Sequence, residues 1–371
     1  MTKGIQMNRL HRYFCFLLLL LFTVPLVGQE DGDFENRLEQ LAKTNARGYL
    51  SPLVTSMGIG LNSGLYRTAD IHGLFGFDIA INLTGISIPD AGKKYTFDTS
   101  PLGELQFNVP AGNQDFNITL NAADLYPPVE NAPTFFGSED PPPLNPDTEY
   151  AEQTTISQIA SQTGASESDI RNQFGDDIRT AVNSNLQPLT IIPPGFDLSL
   201  MAVPSLQGSI GLPYETEFQI RLIPTYQLMN DVGDFSLLGL GGRISVDQFI
   251  PIPFFPVDIA AGAFFQRVKL GPVEMNSSIL HAEVSKSIPV LTVYGGLGLE
   301  TSSLTAEYAY ESPMVDNGNM EPNTISLTVD GENRFRTTLG VRLKFLLLTV
   351  NADYNIGTYN SANLGVGITF R

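Results

Sequence analysis

The last part of the chain constrains the fold most, because apolar and polar residues alternate there over three consecutive segments. Every even-numbered residue from Ala362 to Phe370 is apolar, and the odd-numbered residues between them are small or polar. This two-residue period is typical of a β-strand with one apolar face. Segments 335–345 and 346–355 alternate in the same way. Each has roughly the ten residues that a tilted strand needs to cross a bilayer, whereas strands of soluble sheets are usually shorter.

The polar sides of these segments carry several charged residues, namely Arg334, Arg336, Arg342, Lys344 and Asp353. A dry protein core seldom accommodates so many charges. We therefore expect the apolar sides to face lipid and the polar sides to line a water-filled lumen. The sequence predicts an all-β fold, an antiparallel transmembrane β-barrel.

Residues 1–28 are typical of an export signal. Three cations precede the apolar run 13–27, and the small Gly28 offers a cleavage point. A membrane-anchoring helix is the alternative, but the run is short and is interrupted by Pro25. The one cysteine, Cys15, lies inside the predicted signal, so we expect no disulfide in the exported chain.

The rest of the sequence has no apolar run long enough for a membrane helix. An exported protein of this kind is either soluble or a barrel. The 34 Gly, 23 Phe and 13 Tyr, together with only 16% charged residues, favour the barrel. The net charge of −18 argues against a nucleic-acid partner. We expect a location in the cell outer membrane, with membrane lipid and the barrel-assembly machinery as partners.

The chain is predicted to divide into a signal, a short helix and a barrel. Residues 29–47 contain an amphipathic helix, with Phe34, Leu38 and Leu41 on one side. This helix could be a plug or lid, or a plain surface helix. The barrel is predicted over 48–371, and its first alternating stretches are 53–61 and 75–83.

The alternation fades over about 110–194, where prolines cluster. Residues 166–182 have apolar residues at helical spacing, with Ser166 and Asp169 placed to cap the start. We expect a partly helical insertion at the outer surface or at the mouth of the pore, with a periplasmic position as the alternative. Strand signals resume at Leu198. The total predicts about 12–14 strands.

Short motifs spread along the chain resemble those of an uncharacterised family of outer-membrane proteins from Bacteroidota. The motifs are Tyr49-Leu-Ser-Pro-Leu53, Gly58-Ile-Gly-Leu-Asn-Ser-Gly-Leu-Tyr66, His72, Gly76-Phe-Asp78, Gly211-Leu-Pro213, Arg221-Leu-Ile-Pro224, Gly340-Val-Arg-Leu-Lys344 and Asn351-Ala-Asp-Tyr354. The resemblance covers nearly the whole exported chain and implies an outer-membrane barrel. It transfers no catalytic residues.

Two groups of polar residues are candidates for a lumenal site. If Ile288-Pro289 closes a hairpin, His281, Glu283 and Tyr294 share one patch on the inner wall. Such a set could serve acid–base chemistry. A solvated barrel wall also carries such residues routinely, and no nucleophile completes the set. We therefore expect no enzyme activity, no cofactor and no metal.

The second group is the row of cations Arg334, Arg336, Arg342 and Lys344, with Asp353 across the hairpin. Such a row could form a constriction that selects anions or a carboxylate-bearing solute. It could instead form internal salt bridges with acidic residues of other strands or of the N-terminal helix. The excess of Asp and Glu elsewhere favours the second interpretation.

These observations lead to a channel or transporter for a small solute, with a hydrophobic solute among the candidates. The inference depends on architecture and not on a demonstrated site. One alternative is a sealed barrel that serves a structural or surface-interaction role. Another is a soluble periplasmic β-protein that binds lipid.

Overall fold

A computed structural model describes residues 32–112, 114–229, 233–251, 256–271, 273–311 and 322–370. The predicted export signal lies outside these residues. The chain forms two compact units. We call the first, which holds the described residues up to Tyr49 and Ala91–Asp197, the insertion unit. The second, Leu50–Asp90 with Leu198–Arg371, is the barrel unit.

The described helices and strands follow one another along both units. In chain order they are α1 (Gly32–Leu61), β1 (Phe77–Ser87), β2 (Lys94–Phe97), β3 (Glu104–Ala111), β4 (Gln114–Asn121), α2 (Ala122–Leu125), β5 (Val129–Pro133), α3 (Thr148–Thr163), α4 (Glu167–Asn185), β6 (Leu200–Leu212), β7 (Thr216–Met229), β8 (Gly233–Ser245), β9 (Asp258–Leu270), β10 (Val273–Ser287), β11 (Leu291–Glu311), β12 (Pro322–Asp330), β13 (Phe335–Phe345), β14 (Leu348–Ile356) and β15 (Ser361–Phe370).

Ten antiparallel strands close the barrel unit in the order β1, β6, β7, β8, β9, β10, β11, β13, β14, β15 and back to β1. Strand β12 pairs with the second half of β11 and stands outside this ring. The barrel prediction is confirmed, but ten strands replace the 12–14 predicted. The difference arises because the predicted strand 53–61 belongs to helix α1 and the predicted strand 324–329 lies in β12.

The outer face of the barrel is apolar. Side chains such as Ile81, Leu339 and Leu364 are each more than 60% exposed, while the inward-facing Asn363 and Thr369 are buried. This sidedness agrees with the prediction. Within the described residues, no helix is both long and apolar enough to cross a membrane.

The lumen is occupied by the chain itself. Residues Leu50–His72, which we call the plug segment, comprise the end of α1 and the stretch that leads towards β1. Near its start Ser51 Oγ donates to Glu332 at 2.9 Å, and further along Ala69 N donates to Ser285 Oγ at 2.9 Å. The expectation of a water-filled lumen is therefore wrong for this part of the barrel, because the inward side chains pack against the plug segment.

The predicted helix boundary is also wrong, since α1 continues to Leu61. Glycines in its last turns let the helix approach the wall closely. A Cβ at Gly58 would lie 2.5 Å from Ser302 Oγ, and one at Gly60 would lie 2.5 Å from Val203 Cγ2. The small residues that suggested a strand face are thus a consequence of tight helix packing.

The insertion unit has its own apolar core, to which Val109, Ile118, Ile159 and Ile178 contribute as fully buried side chains. It extends over Ala91–Asp197, beyond the predicted limits of 110–194. The helix predicted at 166–182 is confirmed as α4, and Ser166 Oγ caps it by accepting from Asp169 N at 3.2 Å. Helix α3, which precedes it, was missed.

The two ends of the barrel differ in their connections. The β6–β7, β8–β9, β10–β11 and β13–β14 connections lie together at one end, which we call the turn end. At the other end Ser87 pairs with Leu200, and residues 91–197 are inserted between their strands. We call this the insertion end. The start of the plug segment also lies here, since Ser51 contacts Glu332 just before β13.

The first prediction concerns the apolar outer face. Val366, near the middle of β15, is 53% exposed. Val366→Arg should impair insertion by about 2–4 kcal/mol, because an arginine at the bilayer midplane is poorly solvated. Heat-modifiable mobility in gels and recovery in outer-membrane fractions measure this effect. Ser87→Arg, at the rim, is the control and should insert normally. Normal insertion of both variants would contradict a lipid-facing outer surface.

Candidate functional site: a polar network in the lumen

The most constrained polar groups in the lumen are the carbonyls at the end of α1. The last turn of any helix leaves its carbonyl oxygens without helical partners. Arg221 of β7 binds the last carbonyl of α1, with Nη1 donating to Leu61 O at 2.5 Å. Its Nη2 donates to Ser63 O, just after the helix, at 2.7 Å. Gln266 of β9 also donates to Leu61 O, at 2.7 Å. Positive charge at a helix C-terminus also stabilises the helix dipole.

Arg336 of β13 binds the same helix end from another part of the wall. Its Nη2 donates to Ile59 O at 2.7 Å and its Nη1 donates to Asn62 O at 2.8 Å. Its Nε lies 2.6 Å from Glu300 Oε1 of β11, and Asn333 donates to the other oxygen of Glu300 at 2.9 Å. The charge of Arg336 is therefore compensated within the barrel.

A second cluster holds the later part of the plug segment. Arg243 of β8 bridges two carboxylates, Glu217 of β7 at 2.7 Å and Glu283 of β10 at 2.5 Å. Its Nη1 also donates to Thr68 O at 2.8 Å. All three charged side chains are almost completely buried. Because the arginine sits between two acids and a plug carbonyl, it couples the wall to the plug segment.

His72 ends the plug segment between two strands. Its Nδ1 lies 2.5 Å from Glu217 Oε2, and its Nε2 lies 2.9 Å from Thr369 Oγ1 of β15. Hydroxyl, imidazole and carboxylate thus follow in the order used by hydrolytic triads. The adjoining cavity, lined by His72, Glu217 and Arg243 among others, has a volume of only about 10 Å³. That is room for about one water molecule, so these residues pack closely around the end of the plug segment.

Aromatic contacts and a further ion pair complete the network. Tyr66 stacks on His281 with ring centroids 5.0 Å apart and meets Tyr294 edge-on at 6.2 Å. Tyr294 Oη donates to Asp353 Oδ2 at 3.0 Å. Arg67 of the plug segment forms an ion pair with Asp78 of β1. We call the full set of these contacts the lumenal network.

Most of the residues singled out by sequence lie inside the barrel. Those that are buried and inward-facing are Arg336, Arg342, Asp353, His281, Glu283 and Tyr294. Lys344 faces inward and is half-buried, whereas Arg334 is exposed and precedes β13. The cations are therefore not one row facing water. Arg336 pairs with Glu300, and Arg342 lies 3.9 Å from Asp78.

The residues of the predicted acid–base patch come together only partly. Glu283 stands opposite Gly296, and the absent side chain at Gly296 makes room for Tyr66 Oη, which would lie 2.3 Å from a Cβ there. His281 stands opposite Gly298. Tyr66 thus separates His281 from Tyr294, and the predicted acid–base patch is filled by the plug.

Sequence reasoning did not single out the charged residues that hold the plug from β7 and β8, namely Glu217, Arg221 and Arg243. A usable signal was present. Along β7, Glu217, Gln219 and Arg221 alternate with Phe218, Ile220 and Leu222, which is the same pattern that drew attention to β13. Within the described part of the chain, His, Cys, Asp and Glu side chains nowhere form a group of three that could hold a metal ion.

A closed antiparallel barrel with an apolar exterior and charged residues on its inner wall has the architecture of a bacterial outer-membrane protein. The chain belongs to a family of unknown function (DUF6588), whose sequence model matches residues 7–370. No curated protein matches the chain significantly.

Solved outer-membrane barrels are similar to this chain at low identity. OmpT of Vibrio cholerae is 10% identical over 45% of this chain and 55% of its own, with a TM-score of 0.23. The chain thus spans about half the length of that protein. The transport unit of the autotransporter AIDA-I from Escherichia coli is 8% identical over 88% of this chain and 99% of its own, with a TM-score of 0.25.

The second prediction concerns the clamp on α1. Arg336→Met leaves Glu300 without its cationic partner, removes the donor to Asn62 O and removes one of the two donors to Ile59 O. It should weaken the attachment of the plug segment by about 3–5 kcal/mol. Hydrogen exchange at the amides of residues 58–66 in the purified barrel measures this loss. Arg267→Met is the control, because Arg267 is a half-exposed residue of the outer face that pairs with Glu274. Equal protection in the two variants would contradict the clamp.

Proposed function

We propose that the protein is an outer-membrane barrel closed by its own plug segment, and that it anchors the insertion unit at the cell surface. The observation that carries the proposal is the lumenal network, in which Arg221 and Arg336 bind the end of α1 from two sides of the wall. A helix end fixed by two buried arginines is a permanent part of a fold, because removing either partner leaves buried polar groups unpaired.

The burial of the plug segment supports a closed barrel. The plug segment is buried or half-buried at every residue from Leu50 to His72. The cavity beside Leu65–Thr68 has room for about one water molecule, about 10 Å³. A continuous water path for a solute would require the plug segment to leave its place.

The chain connections support a surface location for the insertion unit. Leu50, Asp90 and Leu198, at which the barrel unit joins the rest of the chain, all belong to the insertion end. In bacterial barrels the short turns lie in the periplasm and the long connections lie outside. With the turn end in the periplasm, residues 91–197 are on the outer side of the membrane.

The third prediction tests this location with epitope tags. A tag placed after Glu139, in an exposed loop of the insertion unit, should bind antibody on intact cells. A tag placed after Phe249, which is 69% exposed at the turn end, should bind only after the outer membrane is permeabilised. The reverse pattern would place the insertion unit in the periplasm and contradict surface display.

A second candidate function is gated transport of a small solute, polar or hydrophobic. The observation that favours it is the polar character of the attachment, since His72 and Arg243 contact the wall through hydrogen bonds and ion pairs. Polar interfaces exchange more readily with water than apolar ones do. In that function the plug segment would be the moving part.

The fourth prediction separates the two candidates by conductance in planar bilayers. The wild-type protein should give no steady current, because the plug segment fills the lumen. Arg221→Gln combined with Arg336→Gln should produce current steps, since the helix end loses both clamps. Arg267→Gln, on the outer face, is the control and should behave as wild type. A steady current through the wild-type protein would contradict the closed barrel and favour a channel.

A further inference from the structure

The ladder between β6 and β7 is incomplete. It runs only from Leu212 paired with Thr216 to Gln207 paired with Arg221. Beyond this point β6 continues to Leu200 along β1, and β7 continues to Met229 along β8, but the two strands no longer pair with each other. The ladder of the wall is therefore interrupted between residues 200–206 and 222–229, on the side of the insertion end, and we call this interruption the opening.

The sequence explains why the ladder stops. Each separated strand contains a proline, Pro204 in β6 and Pro224 in β7. Proline has no backbone N–H and cannot donate in a ladder, so it is found at sheet edges. The β7–β8 ladder also changes register between Ile223 and Tyr226, next to Pro224. Both strands therefore contain a proline that favours the end of the ladder at this point.

The opening lies at the level of apolar outer side chains. Ladder pairing places Leu206 beside Ile81 and Pro204 beside Leu83, all on the outer face. Leu206 is 47% exposed and Ile81 is 65% exposed. Leu222, across the opening, is 49% exposed. A bilayer around the barrel therefore reaches the opening with its hydrocarbon part.

Helix α1 lies behind the opening. Ser56 and Gly60 contact Met201 and Val203 of β6. Thr55, on the far side of the helix, contacts Glu332 before β13.

Leu53 and Met57 lie on the opposite face from Thr55 in a helix of 3.6 residues per turn. They are half-buried, whereas their neighbours Val54 and Gly58 are buried. These two apolar side chains consequently face the side of the barrel that contains β6 and β7.

We propose that the opening between β6 and β7 is a binding slot for an acyl chain of a bilayer phospholipid, with Leu53 and Met57 as its floor. Unpaired backbone groups in hydrocarbon are costly and need a partner. A phospholipid supplies ester and headgroup oxygens for backbone N–H groups and a chain for the leucines. Residues 53–60, 200–206 and 222–229 contain no charged residue, which fits a hydrocarbon ligand.

A strand from another protein would be the alternative occupant. Pro204 and Pro224 argue against it, because each removes a donor that an added strand would need. The slot inference rests on the proposed membrane location of the barrel, and the experiment below separates failure of the location from failure of the slot.

The fifth prediction uses the absence of tryptophan from the chain. A single tryptophan introduced into the full chain reports its own surroundings in vesicles of dibrominated phosphatidylcholine, whose bromine atoms quench on contact. Leu206→Trp, on the outer face, should be quenched. Met57→Trp, on the slot floor, should lose a similar share of its emission. Tyr66→Trp, inside the lumenal network, should keep its emission. Leu53→Trp serves as a second floor reporter in case Met57→Trp does not fold.

A second step closes the slot. Pro204→Val with Pro224→Val restores two donors and should extend the ladder, so that quenching of Met57→Trp falls to the level of Tyr66→Trp. Pro289→Val, in the β10–β11 turn, is the control and should leave the quenching unchanged.

Each other outcome overturns a defined part of the inference. Quenching of Leu206→Trp without quenching of either floor reporter would mean that no acyl chain enters the slot. Lack of quenching at Leu206→Trp would contradict the membrane location itself. Unquenched floor reporters together with a dimer in light scattering, lost in the double valine variant, would assign the edges to a second chain instead.

Discussion

The structure depends on the binding of a helix end by two buried arginines. The carbonyls of Ile59 and Leu61 in the last turn of α1, and the carbonyl of Ser63 just after it, lie inside a barrel, where bulk water does not reach them. Without donors from the wall Leu61 O and Ser63 O would lose these partners and Ile59 O would keep only Ser63 Oγ as a donor, so the plug segment would be held far less well in the lumen. Arg221 and Arg336 provide these donors from separate strands. The inner wall of the barrel and the plug segment therefore depend on each other, because each supplies hydrogen-bond partners for buried polar groups of the other.

This coupling also explains the charges of the inner wall. Arg336 is compensated by Glu300, and Arg243 by Glu217 and Glu283, whereas Arg221 binds the neutral oxygens of Leu61, Ser63 and Gln207. Isolated buried charges would be strongly unfavourable. Such networks favour a single arrangement of the plug over many, because every alternative position leaves a charge unpaired.

The errors of sequence reasoning had physical causes. The stretch Leu53–Leu61 alternates apolar and small residues, which also suits a strand, and Pro52 argues against a continuing helix. Its helical state is decided by surroundings: the glycines permit contact with Ser302 and Val203, and the wall supplies the caps. Likewise β12 has strand-forming residues, yet its place outside the ring follows from the register of β11, which local propensity does not contain.

The sequence by itself determined the barrel, the apolar outer sides of its strands and the helix α4, because a two-residue or 3.6-residue period shows which side of an element is apolar. It also marked several inward-facing charges, including Arg336, Asp353 and Glu283. Only the tertiary structure showed that the plug segment fills the lumen and which residues hold it. It also showed where the β6–β7 ladder is interrupted. These features depend on contacts between residues more than a hundred positions apart, such as Arg221 and Leu61. The apolar–polar pattern within one segment does not predict such contacts.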